Sequence, residues 1–371
     1  MENILLVATS SWAGMGPYAS EIINAFADVG NVYFFVVEDE RHYFSFNLAQ
    51  SMRDRGVIMY RKNSNINKLL DLIWAPFEVE KRLRKFCRDK RIDVIHFLTS
   101  EVPYGKTMLA LKMEYKLFFT VHDLHPHEAK KVFYKMWRHR WMYRKLARNR
   151  NIAEFLITNS RMQEKVLMSM FPQKKIYYFE FPSLVNNSIV KGNTVPPELV
   201  GIEGYVLFFG RIEQYKGVDL AYKAFSEYAA LHKHTLVIAG SGEIYFPRNM
   251  EREKNIVLIN RYIRDDEVSY LFRHASITLY PYISATQSGV LSLSCYFEKP
   301  IVASDVPFFK LVSEKGLGFN FSTGNLDDLV EKTLLLMKTD MKAIEQNERR
   351  FYELHYSKEC LRNNLLSIYN R

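Results

Sequence analysis

Five short segments of this chain combine glycine with residues able to hold an anion, a hydroxyl or a metal ion, and each follows an apolar run. Phe209-Gly210-Arg211-Ile212-Glu213-Gln214-Tyr215-Lys216-Gly217 sets two cations on a glycine-punctuated turn. Arg211 and Lys216 there suit a diphosphate leaving group, whose developing charge fixed cations neutralise; ordinary surface ion pairing is the alternative use. Tyr282-Ile283-Ser284-Ala285-Thr286-Gln287-Ser288-Gly289-Val290 lies between a strand and an apolar helix. Consecutive N–H groups at Gln287, Ser288, Gly289 and Val290 would make a nest for a pyrophosphate. Gly14 and Gly16, in Ser10 to Pro17, allow a phosphate or sugar hydroxyl close to a helix start, or serve only the turn. Their spacing is not GxGxxG, so no dinucleotide fingerprint is present.

The fourth segment, Thr120 to Glu128, holds His122, Asp123, His125, His127 and Glu128. Imidazole and carboxylate suit divalent ions, but HExxH spacing is missing and Pro126 prevents one regular helix from presenting all three imidazoles. His122, at the strand end, is better suited to hydrogen-bonding a substrate hydroxyl, and no metal is expected. Ala239-Gly240-Ser241-Gly242-Glu243 repeats the strand-to-glycine pattern without a distinctive side chain.

These turns need strands and helices to hold them. Apolar runs at Ile4 to Ala8, Val32 to Val37, Val94 to Phe97, Leu117 to Val121 and Phe155 to Thr158 are continuous rather than alternating, and helical patterns separate them. Such runs predict a parallel sheet covered on both faces. A stretch rich in Pro, Gly and Asn follows residue 182, and the alternation restarts at Tyr205 to Phe209, Thr235 to Ala239, Ile256 to Ile259, Ile277 to Tyr280 and Pro300 to Ala303. The expected class is α/β, with two Rossmann-like doubly wound domains facing a cleft: residues 1–185, a connector at 186–204, a second domain at 205–350, and a final helix within 351–371 returning to the first domain. In such sheets ligands bind beyond the carboxyl ends of the strands, where the turns described above fall.

The 371 residues carry a net charge of +10. Residues 1–190 hold 29 Lys plus Arg against 19 Asp plus Glu, and the remainder is balanced at 22 of each. The excess gathers in Lys81 to Arg91 and Lys130 to Arg150, which also hold Phe86, Phe133, Tyr134, Trp137, Trp141 and Tyr143. Helices of this kind suit an anionic bilayer surface; solvated helix faces and, more weakly, nucleic-acid binding are the other readings. Three scattered cysteines imply neither a disulfide framework nor a zinc site. With no signal-peptide pattern and no membrane-length apolar run, the expected location is cytoplasmic, peripheral on the inner face of the membrane.

The order of these motifs resembles the retaining glycosyltransferases of the GT-B fold, most closely glycosyltransferase family 4, over nearly the whole chain and most specifically over residues 205–330. Gly210-Arg211 with Lys216-Gly217 is similar to the family's donor-diphosphate grip. The resemblance also implies that Arg261, Tyr262 and Ile263 belong to a segment whose backbone meets the nucleobase, and that Gly14, Gly16 and His122 line the first domain's side of the site. It implies a nucleotide-diphosphate sugar as substrate, no cofactor, retention at the sugar, and a glycan or lipid-linked acceptor. One departure stands out: aligned on Lys299-Pro300, the family's two glutamates fall at Ala285 and Leu293, neither of which ionises. A non-catalytic membrane scaffold and a nucleotide-sugar epimerase are the rival readings.

Overall fold

The computed structural model describes residues 2–11, 14–62, 64, 77–99, 104–122, 124, 133–285 and 287–371. The chain forms two compact units, Met1–Pro182 with Lys358–Arg371, and Ser183–Ser357. In the first, seven strands among the described residues are β1 (Ile4–Ala8), β2 (Val32–Glu38), β3 (Gly56–Tyr60), β4 (Val94–Phe97), β5 (Lys116–Val121), β6 (Phe155–Thr158) and β7 (Lys175–Tyr178). They pair in parallel in the order β3-β2-β1-β4-β5-β6-β7.

The apolar runs are continuous because both faces of the sheet are covered. All five residues of β1 are buried; Ile4, Leu6 and Ala8 join the core beneath the Met15–Ala25 helix, while Leu5 and Val7 join the opposite core, with Val79, Leu83 and Cys87 of the Phe77–Asp89 helix. Burying each such aliphatic side chain contributes about 1.5–3 kcal/mol, so a polar residue at any β1 position would break one core or the other. The chain's last helix, Lys358–Tyr369, inserts Leu361, Leu365, Ile368 and Tyr369 into the first of these cores. Their helical spacing makes one apolar stripe. The Tyr369 hydroxyl meets Nδ1 of the buried His96 at 2.6 Å, and Nε2 of His96 meets Thr120 Oγ1 at 2.8 Å.

The second unit repeats the plan with β8 (Tyr205–Phe209), β9 (Leu236–Ala239), β10 (Ile256–Ile259), β11 (Ala275–Tyr280), β12 (Ile301–Ser304) and β13 (Gly318–Phe321), parallel in the order β10-β9-β8-β11-β12-β13. Along β8, Val206 and Phe208 face one core, Tyr205 and Leu207 the other.

Residues 186–204, expected as a connector, fold onto this second unit. Asn186 caps the Asn187–Lys191 helix by accepting from the Ile189 N–H at 2.9 Å, and its amide donates to Asp265 at 2.7 Å. Thr194 donates to Asp266 through both its hydroxyl (2.8 Å) and its N–H (3.0 Å), and Leu199 is fully buried. The turn-forming residues are real; side-chain bonds to the start of the Asp265–His274 helix pin them.

Candidate functional site

In each unit the strand order reverses beside its first strand, between β1 and β4 and between β8 and β11. At such a switch point the two flanking turns diverge and leave room for a ligand beyond the carboxyl ends of the strands. In the second unit those turns are residues 210–217 and 281–289. They are fastened to each other: the Ile283 N–H donates to the Tyr215 carbonyl at 2.7 Å, and Gly217, at φ +62°, sits so close to Pro281 that a Cβ would overlap the Pro281 carbonyl oxygen. The next turn is laced on as well. The Ile212 N–H donates to Ser241 O at 3.0 Å, and Asn260, following β10, bonds both the N–H and the carbonyl of Gly242 at 3.0 and 3.1 Å. Residues expected as donor ligands therefore stand on a braced edge.

Lys216 ends the short Gln214–Lys216 turn and is only 9% exposed. Its ammonium has no acidic partner among the described residues, and it lies over Gly210, where a Cβ would come within 2.9 Å of Nζ. A cation without a counter-charge, on a side chain otherwise packed into its turn, is suited to an anion brought by a ligand. Arg211 differs. Its side chain is largely exposed and pairs with Glu213 at 3.0 Å, a surface pair of small net effect.

On the facing turn, the N–H groups of Gln287, Ser288, Gly289 and Val290 donate to no protein acceptor among the described residues. Gly289 precedes the Val290–Tyr296 helix without a side-chain cap, and from Leu291 on the helix amides are taken up, Leu291 donating to Ser288 and Ser292 to Gly289. Leu293, on that helix, is 1% exposed and packs in the core with Leu207, Ala239 and Ile263. Ala285 is half-buried against the other core.

Arg261, Tyr262 and Ile263 follow β10 and have three different surroundings. The Arg261 guanidinium bridges Glu198 and Glu267 through four bonds of 2.8–3.0 Å. Its side chain thus belongs to an internal ion cluster, whose carboxyls it holds below their ordinary range. Tyr262 is 72% exposed and Ile263 is buried, and the Tyr262 carbonyl accepts from Arg261 at 3.3 Å.

In the first unit, Gly14 precedes the Met15–Ala25 helix, and a Cβ there would meet nothing within 4 Å. Gly16 is buried under Tyr43, whose ring would be 2.9 Å from a Cβ, so its small size is needed by the protein's own packing. His122 follows β5 and is half-buried; its Nε2–H donates to the Leu98 carbonyl at 2.7 Å, and the Tyr18 ring meets it edge-on at 4.6 Å. A carbonyl accepts only, so the neutral ring carries its proton on Nε2. Asp123, His125, His127 and Glu128 lie outside the described residues. Among the described residues, no group of three or more His, Cys, Asp or Glu is placed to hold a metal ion.

Tyr215 and Tyr282, whose rings flank Lys216, were not singled out from the sequence. They lie in two turns separated by more than sixty residues, and only the lacing described above brings them together.

Two parallel sheets in tandem, each with its turns at a switch point, define a double Rossmann-like α/β protein. Residues 203–339 match the family of group 1 glycosyl transferases and residues 12–178 match glycosyltransferase family 4; the chain belongs to these glycosyltransferases and has their GT-B fold. Among solved structures it is similar to Anabaena HepE in complex with UDP (TM-score 0.69, 14% identity, all of both chains covered). It is also similar to sucrose-phosphate synthase from Thermosynechococcus elongatus (TM-score 0.69, 14% identity, 100% of this chain and 98% of that one). A third is the lipopolysaccharide outer core galactosyltransferase WaaB in its apo form (TM-score 0.59, 15% identity, 100% and 99% covered). At these identities the likeness is one of fold. No curated protein matches the chain in sequence.

Proposed function

We propose that this glycosyltransferase moves a sugar, with retention, from a nucleoside-diphosphate sugar to a glycan acceptor carried on a lipid. The observation carrying this reading is Lys216: a side chain packed into its turn whose ammonium has no acidic partner among the described residues, on a turn laced to the one whose amides at 287–290 have no protein acceptor among those residues. An anion with two phosphates matches that combination of point charge and consecutive N–H donors. The fold neighbour HepE binds UDP and, in another structure, UDP-glucose, which makes UDP the first nucleotide to try. Arg211, exposed at the same turn, reaches the diphosphate by exchanging its Glu213 partner for phosphate. Departure of the nucleotide is assisted by these charges, and no metal is invoked.

Acceptor binding falls to the first unit, where Gly14 follows β1 and His122 follows β5. Its basic surface supports a peripheral position on an anionic membrane: the Phe77–Asp89 helix buries Val79, Leu83 and Cys87 and exposes Lys81, Arg82, Lys85 and Arg88. No helix among the described residues is long and apolar enough to cross a membrane.

The test is a thermal-shift panel of UDP, GDP, ADP and CMP on wild type, Arg211→Ala and Lys216→Ala, since a ligand of the native state raises its stability. One nucleotide stabilises the wild type and loses its effect in Lys216→Ala; transfer at the wild-type rate by that variant would overturn the assignment. A second reading, a nucleotide-binding scaffold without transfer, is favoured by Ala285 and the core-buried Leu293. It predicts the same shifts with no turnover.

A further inference from the structure

The Lys216 ammonium has no acidic partner among the described residues and stands beside two aromatic rings. Its Nζ lies 5.2 Å from the ring centroid of Tyr282 and 5.9 Å from that of Tyr215. The two rings stand at 89° to each other with centroids 6.0 Å apart, so the ammonium is bounded by two aromatic groups from different turns. Both distances fall within the range in which a ring quadrupole attracts a cation, and the attraction is larger where water is excluded. A carboxylate in the same place would cancel the charge and compete with phosphate. Aromatic rings stabilise the cation, carry no formal charge, and leave the ammonium's N–H donors to a stronger acceptor.

The rings are themselves fixed. Tyr282 follows β11, is 2% exposed, meets Phe309 edge-on at 5.2 Å, and has its carbonyl held by Ser304 Oγ at 2.6 Å. Tyr215 is held by its carbonyl's bond to the Ile283 N–H. The Tyr282 hydroxyl is buried and makes no hydrogen bond among the described residues. Phenylalanine would avoid that buried donor while offering the same ring.

We infer that Tyr282 and Tyr215 are positioning residues for the donor diphosphate: their rings hold the Lys216 ammonium in place over Gly210, ready for a phosphate oxygen. The inference rests on the donor-site reading above and adds to it the means by which the site keeps an unpaired cation.

The experiment has two arms. The first is a double-mutant cycle of Tyr282→Leu and Lys216→Met, read by urea denaturation of the unliganded chain. Coupled effects are expected, with ring loss destabilising the wild type more than the Lys216→Met background; additive effects overturn the inference. The second is calorimetric titration of UDP and UMP. Tyr282→Leu is expected to weaken UDP by about five- to tenfold, to weaken UMP less, and to have no further effect once Lys216 is Met, while Tyr282→Phe restores UDP affinity. Equal losses in Phe and Leu variants assign the role to the hydroxyl and overturn the ring account. If the wild type binds neither UDP, GDP, ADP nor CMP, the donor-site reading fails and this role fails with it, even where the denaturation cycle still reports ring and ammonium coupled.

Discussion

The two units share a strand order and differ in how their switch-point turns are built. In the second, the turns after β8, β9 and β11 are bonded to one another, and Gly217 leaves no room for a side chain against Pro281. The result is a braced edge that carries Lys216, a cation with no acidic partner among the described residues. In the first unit, Gly14 has open space around it, and His122 is tied by Nε2 to a backbone carbonyl. The comparison teaches that glycines alike in sequence serve different ends: at 217 the fold itself requires the missing Cβ, whereas at 14 the protein does not. The charges divide the same way. The first unit exposes Lys81, Arg82, Lys85 and Arg88 on the Phe77–Asp89 helix, and the second packs the Lys216 side chain into a turn.

The largest expected effect sharpens this difference directly. Gly217→Ala forces a Cβ into a carbonyl at positive φ and should cost at least about 2 kcal/mol, whereas Gly14→Ala, at φ −74° in open space, should leave stability within about 0.5 kcal/mol of wild type. Urea denaturation of the two variants checks it, and equal losses would erase the contrast.

Next comes the buried histidine of the first unit. Burial pushes His96 down to about 3, with a smaller push from His122, against about 6.5 in the unfolded chain. Between those values the unfolded state takes a proton that the folded state refuses, so His96 stabilises the fold less as pH falls through the window. At pH 5 the loss relative to pH 7 is about 2 kcal/mol. Comparing wild type with His96→Gln isolates it from Glu21, whose burial raises it to about 7 and which acts with the opposite sign.

In the second unit the opposing case is Glu348, fully buried on the Lys342–His355 helix with both carboxyl oxygens lacking a hydrogen bond among the described residues. Burial pushes its carboxyl well above the usual range, so it costs stability as pH rises past the unfolded value. Glu348→Leu is expected to stabilise by about 1–2 kcal/mol at neutral pH, and the gain should grow from pH 5 to pH 8. Melting curves at the two pH values decide it. The smallest effect is at the membrane: replacing Lys81 with Ala should reduce co-sedimentation with anionic vesicles by several-fold, about 1 kcal/mol for the one charge removed, with no change for neutral vesicles.

Much of the fold was legible because central strands buried on both faces read as unbroken apolar runs, as β1 and β8 do. The strands β3, β7 and β13 were not read. Each is a sheet edge and none is buried along its whole length, and sequences such as Lys175-Ile176-Tyr177-Tyr178 carry no such run. The cations Arg211 and Lys216 announced themselves by type and spacing. What they touch did not: the partnership of Lys216 with Tyr282 depends on a hydrogen bond between two turns, and that of His96 with Tyr369 joins residues 273 apart. Leu293 was visible as a departure, but only the packing reveals that its side chain belongs to the core.

The measurement that tests the central claim most directly is a pair of experiments on Lys216→Met: urea denaturation without ligand and titration with UDP. The account predicts that the variant stays within about 1 kcal/mol of wild-type stability, because only the contacts with the two rings are lost, while UDP affinity falls by about a hundredfold. A variant that loses stability yet binds UDP as tightly as wild type would contradict it, and Lys216 would then be a structural residue.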